Sequence, residues 1–303
     1  MPPNGGIAFK VDIDTYKGLK EGVPVLLDLF RESGIRATFF VSLGPDHSGR
    51  AIFQIFRKGF LRKMIRTKAA SMYGYRTLLY GTLLPGPKMA AALPEKIRAI
   101  ESAGHEIGIH CWDHRKWQDR LHRMDSEAVA SEFGKARSAF RKVLGREAEC
   151  CAAPGWITSP GSLAVQDEAG LAYCSDMRGE GPFLPVLEGR TFATLQIPTT
   201  LPTMDEILGS EAGTDDEIAR YYLSRLVREG LHVMTIHAET EGQGKREVFR
   251  AILQGIRERR TLPLGEIART CMEQEETIPR CRVIYEEIPG RAGRLSLQGE
   301  RIA

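Results

Sequence analysis

The sequence predicts an α/β fold, a distorted (β/α) barrel of about seven or eight units. Three observations carry that prediction. Short apolar runs alternate with amphipathic segments over most of the 303 residues. Such alternation implies parallel strands covered by helices. Polar residues also recur where the apolar runs stop: Asp12 and Asp14 after the first, His110 after the third, and Pro154-Gly155-Trp156 after the fourth. Ser175-Asp176 follow the fifth, Pro198 the sixth, and His237 ends the seventh. In a (β/α) barrel those strand ends converge on one mouth, where catalysis resides.

The elements follow in order. Ile7–Ile13 reads as a strand, and Val23–Ser33 as a helix with Val25, Leu26, Leu29 and Phe30 on one side and Gly34 as its stop. Ala37–Val41 is a second strand. Glu95–Ala103 is a helix closed by Gly104, and Glu106–Ile109 a third strand. Asp125 is positioned to cap a helix running to Leu144 and ended by Gly145. Cys150–Ala153 is a strand candidate, and Ser159-Pro160 has the form of an N-cap followed by proline at the first helical position. Tyr173-Cys174, Ala193–Ile197 and His232–Ile236 are further strands; Asp215–Glu229 and Arg246–Arg259 are helices. Leu262–Leu264 is expected as a last short strand before a helix starting near Glu266. Gln274–Ala303 has weak periodicity. The expected organisation is one catalytic domain over 1–270, interrupted by an insertion at 44–92, and a loosely held tail over 271–303.

Bulk composition is that of an ordinary globular protein, so the distribution of charge is more informative than its sum. The chain carries a net +3, yet no acidic residue lies between Asp46 and Glu95, an interval with nine lysines and arginines. A cationic segment on a mildly acidic body points to an anionic partner. Within it Ile52, Phe53, Phe56, Phe60 and Met64 fall on one side of a helical projection. Lys58, Arg62 and Arg66 fall on the other, with Arg57 and Lys63 adding charge. Tyr73-Gly74-Tyr75, Leu78-Leu79-Tyr80 and Leu83-Leu84 add apolar surface. This pattern suits a segment lying on an anionic membrane surface; the alternative is a helix packed on the barrel with a solvated basic face. No recognised nucleic-acid-binding fold accompanies the charge. No apolar stretch is long enough to span a bilayer, no secretory signal precedes the first strand, and the six cysteines lack zinc-finger or disulfide-framework spacing. A cytoplasmic protein held peripherally at a membrane is the expectation.

The chemistry is concentrated in His110-Cys111-Trp112-Asp113-His114 and Val11-Asp12-Ile13-Asp14. Histidines four apart share a helical face and can turn toward one ion. A carboxylate from another element completes a three-ligand set with one position open, the pattern of a catalytic divalent site. Asp12 and Asp14 share one face of a strand, so one can bind the ion while the other acts as general base. With Asp14 the histidines suit Zn²⁺, Co²⁺, Mn²⁺ or Ni²⁺. Taken singly, the aspartates also fit a turn and the histidines a solvated helix. Cys111 is read as core packing and Asp113 as a residue that can orient a histidine. His237 ends an apolar strand, where a histidine is often satisfied core; convergence on the mouth favours it as the general acid opposite the ion, a role to which histidine as a residue type is suited. Asp176 is placed to orient His237 or to pair with Arg178.

Taken together these motifs resemble those of the NodB-type polysaccharide deacetylase family: Asp12/Asp14, His110/His114, Ala152-Ala153-Pro154-Gly155-Trp156, Asp176 and Thr235-Ile236-His237, in that order from Ile7 to Leu264. The resemblance implies a NodB-type barrel with one divalent ion on Asp14, His110 and His114, Asp12 as base and His237 as acid. One departure is Ala152, where the family has an arginine; Arg178 is a candidate for the lost charge, and Trp156 for closing the pocket. Within the family, Gly18 to Pro24, Gly44-Pro45-Asp46, Ser175-Asp176-x-Arg178-Gly179, Gln196-Ile197-Pro198 and Thr235-Ile236-His237-Ala238-Glu239 are similar to the bacterial deformylases of undecaprenyl-phosphate-linked 4-deoxy-4-formamido-L-arabinose. This implies hydrolysis of an N-formyl group on a lipid-linked sugar. A deacetylase of peptidoglycan or chitin-like sugars, a cyclic-amide hydrolase and a non-catalytic lipid-binding barrel are the competing readings.

Overall fold

A strand covered by helices must be apolar on both faces, and β1 (Gly6–Ile13) is buried along its whole length. The computed structural model describes residues 6–50, 77–226 and 228–302. After β1 come α1 (Val23–Ser33), β2 (Thr38–Ser42), α2 (Pro94–Ser102), β3 (Glu106–Cys111), α3 (His114–Arg120) and α4 (Ser126–Leu144). Then follow β4 (Cys150–Cys151), α5 (Pro160–Glu168), β5 (Tyr173–Cys174), β6 (Leu184–Leu187), β7 (Arg190–Thr191) and β8 (Leu195–Gln196). The chain continues through α6 (Asp215–Leu226), β9 (Leu231–His237), α7 (Arg246–Gly255), α8 (Leu264–Met272), β10 (Arg280–Glu287) and β11 (Arg294–Ile302).

Seven strands form one parallel sheet in the order β8-β5-β4-β3-β2-β1-β9. This is barrel order, with the last strand beside the first. The ladder stops between β8 and β9, so the sheet is curled and not fully closed. Just past β8 the seam is stitched: Thr200 N–H donates to Val233 O at 3.1 Å, and Val233 N–H to Thr200 Oγ1 at 2.9 Å. The expected Leu262–Leu264 strand reduces to a short contact in which Leu262 N–H donates to Ile7 O, and the helix starts at Leu264 itself.

Alternation along β1 builds both layers of the core. Ile7, Phe9, Val11 and Ile13 pack outward with helical residues such as Phe30 and Phe249. Ala8 joins the inner cluster with Phe40, Cys150, Ala152 and Tyr173. Lys10 and Asp12 lie on that same inner face, so the barrel interior carries charge. The predicted helix ends are present: Gly34 and Gly145 close α1 and α4 in the left-handed conformation, and Asp125 and Ser159 cap α4 and α5.

The expected loose tail is instead an antiparallel hairpin, β10 and β11. It pairs with β6 and β7 in a second sheet of order β11-β10-β6-β7. Its apolar signal is faint because few of its residues, Cys281, Val283 and Leu295 among them, turn inward. The insertion residues Phe53, Phe56, Arg57, Lys58, Phe60, Arg62, Lys63 and Arg66 lie outside the described residues. Beyond them the chain returns through a loop on which Leu83 is 81% exposed and Tyr80 meets Tyr16 edge-on at 6.5 Å. Among the described residues no helix is long and apolar enough to cross a membrane.

Candidate active site

The turn after β1 is held by the end of β9. Glu239 Oε1 accepts from Asp14 N–H at 3.1 Å, from Thr15 N–H at 2.8 Å and from Thr15 Oγ1 at 2.8 Å. Two glycines allow that approach. A Cβ on Gly18 would lie 2.0 Å from Glu239 Oε1, and one on Gly22 1.9 Å from Ala238 O. On the other side Asp46 Oδ2 accepts from Tyr16 N–H at 2.8 Å, tying in the loop after β2. The Gly18–Pro24, Gly44–Asp46 and His237–Glu239 motifs thus share one task, fixing the loop that carries Asp14.

Asp14 meets both histidines. Its Oδ1 is 3.3 Å from His110 Nε2 and its Oδ2 3.3 Å from His114 Nε2, and one donor atom from each of the three lies within 4.8 Å of the others. The histidines do not share a helix, contrary to the helical reading of their spacing. His110 is in β3 and His114 opens α3, with Asp113 between them as the N-cap that accepts from Lys116 N–H. Each imidazole thus faces its own oxygen of Asp14, and the three side chains are close enough together to hold one divalent cation. Burial works to raise the Asp14 pKa, but the imidazoles of His114 and His110 hold it well below the usual carboxylate range. Burial opposes charge on His110 as well, yet Asp12 and Asp14 raise its pKa. A cation entering this cluster would displace those protons.

Asp12 and His237 are register neighbours on β1 and β9. Asp12 is buried; its Oδ2 pairs with Lys10 Nζ at 3.4 Å, and its Oδ1 has no hydrogen-bond partner among the described residues. The backbone N–H of His237 donates to Glu241 Oε2 at 2.8 Å. Asp113 does orient a histidine, His47, at 2.7 Å from its Nδ1, and not a member of the Asp14 cluster.

Asp176 turns out to pair with neither His237 nor Arg178. Its carboxylate accepts from Ala153 N–H at 2.6 Å, Gln166 Nε2 at 2.6 Å and Gln196 Nε2 at 3.3 Å, and burial raises its pKa. It braces the turn after β4. Arg178 does not take the place of the missing arginine either: its guanidinium is spent on Glu206 at 2.8 Å and on Leu201 O at 3.0 Å. Trp156 is a buried wall. Its Nε1 donates to Thr199 Oγ1 at 3.0 Å, and its ring is flanked by Lys10 Nζ at 5.4 Å, Arg178 at 5.0 Å and Arg291 at 4.6 Å. Sequence reading passed over Lys10, Glu241 and His47, and quoted Glu239 only within the Thr235–Glu239 motif, without a role. A signal for Lys10 was available: a lone cation in a run of apolar strand residues, two positions before Asp12 and so on the same face.

The curled parallel sheet thus carries at its mouth an Asp-His-His cluster that could hold a divalent ion, with Asp12 and His237 on neighbouring strands beside it. The comparisons give the class of protein. Residues 6–174 match the family model described as polysaccharide deacetylase. The chain is 38% identical over 300 residues to a protein of Shewanella sediminis described as 4-deoxy-4-formamido-L-arabinose-phosphoundecaprenol deformylase ArnD, covering 98% of this chain and 95% of that one. It is 31% identical over 286 residues to a protein of the same description from Wigglesworthia glossinidia brevipalpis, covering 93% and 98%. A solved structure from Mycobacterium smegmatis, described as a polysaccharide deacetylase, superposes with a TM-score of 0.64 at 19% identity, covering 94% of this chain and 96% of that one. The chain belongs to the polysaccharide deacetylase family, whose members are amide hydrolases and are generally metal-dependent.

Proposed function

We propose that the protein removes the formyl group from undecaprenyl-phosphate-linked 4-deoxy-4-formamido-L-arabinose, releasing formate and the free 4-amino sugar used in lipid A modification and polymyxin resistance. The observation that carries the proposal is the meeting of Asp14 with His110 and His114 beside the Asp12/His237 pair, in a chain similar over nearly its whole length to two proteins described as that deformylase.

Asp14, His110 and His114 would hold the divalent ion, of which Zn²⁺, Co²⁺ and Mn²⁺ suit the donor set. Once bound, it supplies a Lewis acid for the formyl oxygen and activates water. Asp12 takes the proton from the attacking water on its carboxylate. As the C–O bond forms and the C–N bond breaks, His237 gives a proton to the departing nitrogen, because an amine does not leave as an anion. The basic, apolar insertion holds the lipid phosphate and the anionic inner face of the membrane.

The test measures formate and acetate release from formyl and acetyl forms of the lipid-linked aminopentose, together with bound metal. Asp14→Ala is expected to lose the metal. Asp12→Asn and His237→Ala should keep it and lose about 10²–10⁴-fold in kcat. Acetate release without formate release would move the reading to a deacetylase, and full activity of Asp12→Asn would remove the assigned base.

A further inference from the structure

We infer that Lys10 is the positioning residue of this site, the buried cation that balances and holds the Asp12 carboxylate. The inference rests on the reading of Asp12 as base.

Lys10 is fully buried on the inner face of β1. Taking an ammonium out of water costs several kcal/mol unless charge and hydrogen bonds offset it. The offsets are specific. Nζ donates to Ser175 O at 2.9 Å across the barrel, pairs with Asp12 Oδ2 at 3.4 Å, and lies against the rings of Trp156 at 5.4 Å and Phe40 at 5.8 Å. A lysine stem is flexible; here one carbonyl and two rings fix where its charge sits. Asp176 also feels this charge, but its oxygens are already held by Ala153, Gln166 and Gln196. Asp12 is in the opposite position: Oδ2 pairs with Lys10, and the buried Oδ1 has no hydrogen-bond partner among the described residues. One cation therefore balances the Asp12 charge and fixes where its carboxylate sits. Ala152 lines the same inner cluster as Phe40 and brings no charge of its own. The cation beside the base has come from the first strand, not the fourth.

The test compares the metal-loaded wild type with Lys10→Met, Lys10→Gln, Lys10→Arg, Asp12→Asn and Lys10→Met/Asp12→Asn. Lys10→Gln can still donate to Ser175 O without charge, and serves if Lys10→Met does not fold. Bound metal is expected to be unchanged throughout. The neutral variants should lose about 10- to 100-fold in kcat, as supporting residues do, with KM little changed, and Lys10→Arg should retain most of the activity. The double variant should be no slower than Asp12→Asn, because Lys10 works through Asp12. Wild-type kcat in both neutral variants, an Arg variant as slow as the neutral ones, or a double variant slower than Asp12→Asn by the full Lys10 factor would each overturn the inference. If the wild type releases neither formate nor acetate, the substrate reading fails separately. The same variants then form a thermal-melt cycle in which simple additivity of the Lys10 and Asp12 losses removes the pair.

Discussion

Two buried glutamates follow His237, and they do different work. Glu239 gathers three hydrogen bonds from Asp14 and Thr15 on one oxygen. Glu241 accepts from the His237 backbone, and burial pushes its pKa up to about 8 from 4.5. Asp205 adds to that shift, while the hydrogen bond from His237 acts against it. A carboxyl raised in the folded state holds a proton that the unfolded chain has given up, so stability is full below the unfolded value and falls as pH rises toward the folded one. Urea unfolding between pH 5 and pH 8 is therefore expected to show stability falling with pH, with Glu241 contributing about 2–4 kcal/mol. Glu241→Gln should make that slope shallower by the Glu241 share, while Glu239 and His110, also raised, keep slopes of the same sign; an unchanged slope would mean that Glu241 ionises freely in place. At this scale the sequence was readable wherever a residue's spacing carried its role. Asp12, Asp14, His110 and His237 stand at or just past strand ends and His114 opens α3, and the spacing that singled them out also brings Asp14 and the two histidines together. Glu241 and Lys10 were not readable, because their roles depend on burial, and burial of a charged side chain is not written in local pattern.

At the scale of elements, the C-terminal hairpin departs most from expectation. It braces two loops of the site. Ser296 Oγ accepts from Thr158 N–H at 3.0 Å and from Thr158 Oγ1 at 2.8 Å, just past Trp156. Around Arg178, the hairpin backbone bonds on both sides: Arg178 N–H donates to Ser296 O at 3.1 Å and Gln298 N–H to Arg178 O at 2.8 Å. Arg291, between β10 and β11, reaches Glu206 at 2.7 Å and stacks on Trp156. Trp156 itself sits at φ 53, a conformation costly for a bulky side chain, of order 1–3 kcal/mol, which persists only when neighbours over-determine it. Removing residues 280–303 is expected to lower kcat by at least about tenfold, since small displacements of a site loop cost that much or more, while Asp14, His110 and His114 still bind metal. Metal analysis and formate release on the truncated chain check both halves, and full activity without the hairpin would return it to the status of a tail. The barrel order was legible because each strand is a compact apolar run. The hairpin was not, because in β10 the exposed-buried alternation lasts only from Arg280 to Val283 and is lost toward Glu286-Glu287, both exposed. The histidine spacing was legible as a pair, but it spans a strand-to-helix junction whose geometry matches a helical turn only in bringing the two rings together.

For the whole molecule, the parallel sheet gives the site a direction. Asp12, Asp14, His110 and His237 all lie at the C-terminal ends of their strands, the end where (β/α) barrels act. The described stems of the insertion are anchored at that same end. Asp46 bonds Tyr16, His47 bonds Asp113, and Tyr80 packs on Tyr16 beside the loop that carries Asp14. Leu83, 81% exposed, stands three residues beyond Tyr80. On the proposed reading that the basic insertion meets an anionic bilayer, its described stems lie on the side of the mouth, where a sugar on a lipid phosphate would have to enter. This arrangement makes a prediction that separates binding from chemistry. Leu83→Asp, and deletion of 53–66, should each weaken co-sedimentation with vesicles containing anionic phospholipid, with the larger loss in the deletion, where several cations near the surface contribute about 1 kcal/mol each. Both variants should still release formate from a short-chain, water-dispersed analogue, because both keep Asp12, Asp14, His110, His114 and His237. Unchanged sedimentation of the deletion variant would show that the cationic segment serves another partner. Loss of short-chain turnover alongside sedimentation would instead show that the segment shapes the mouth itself.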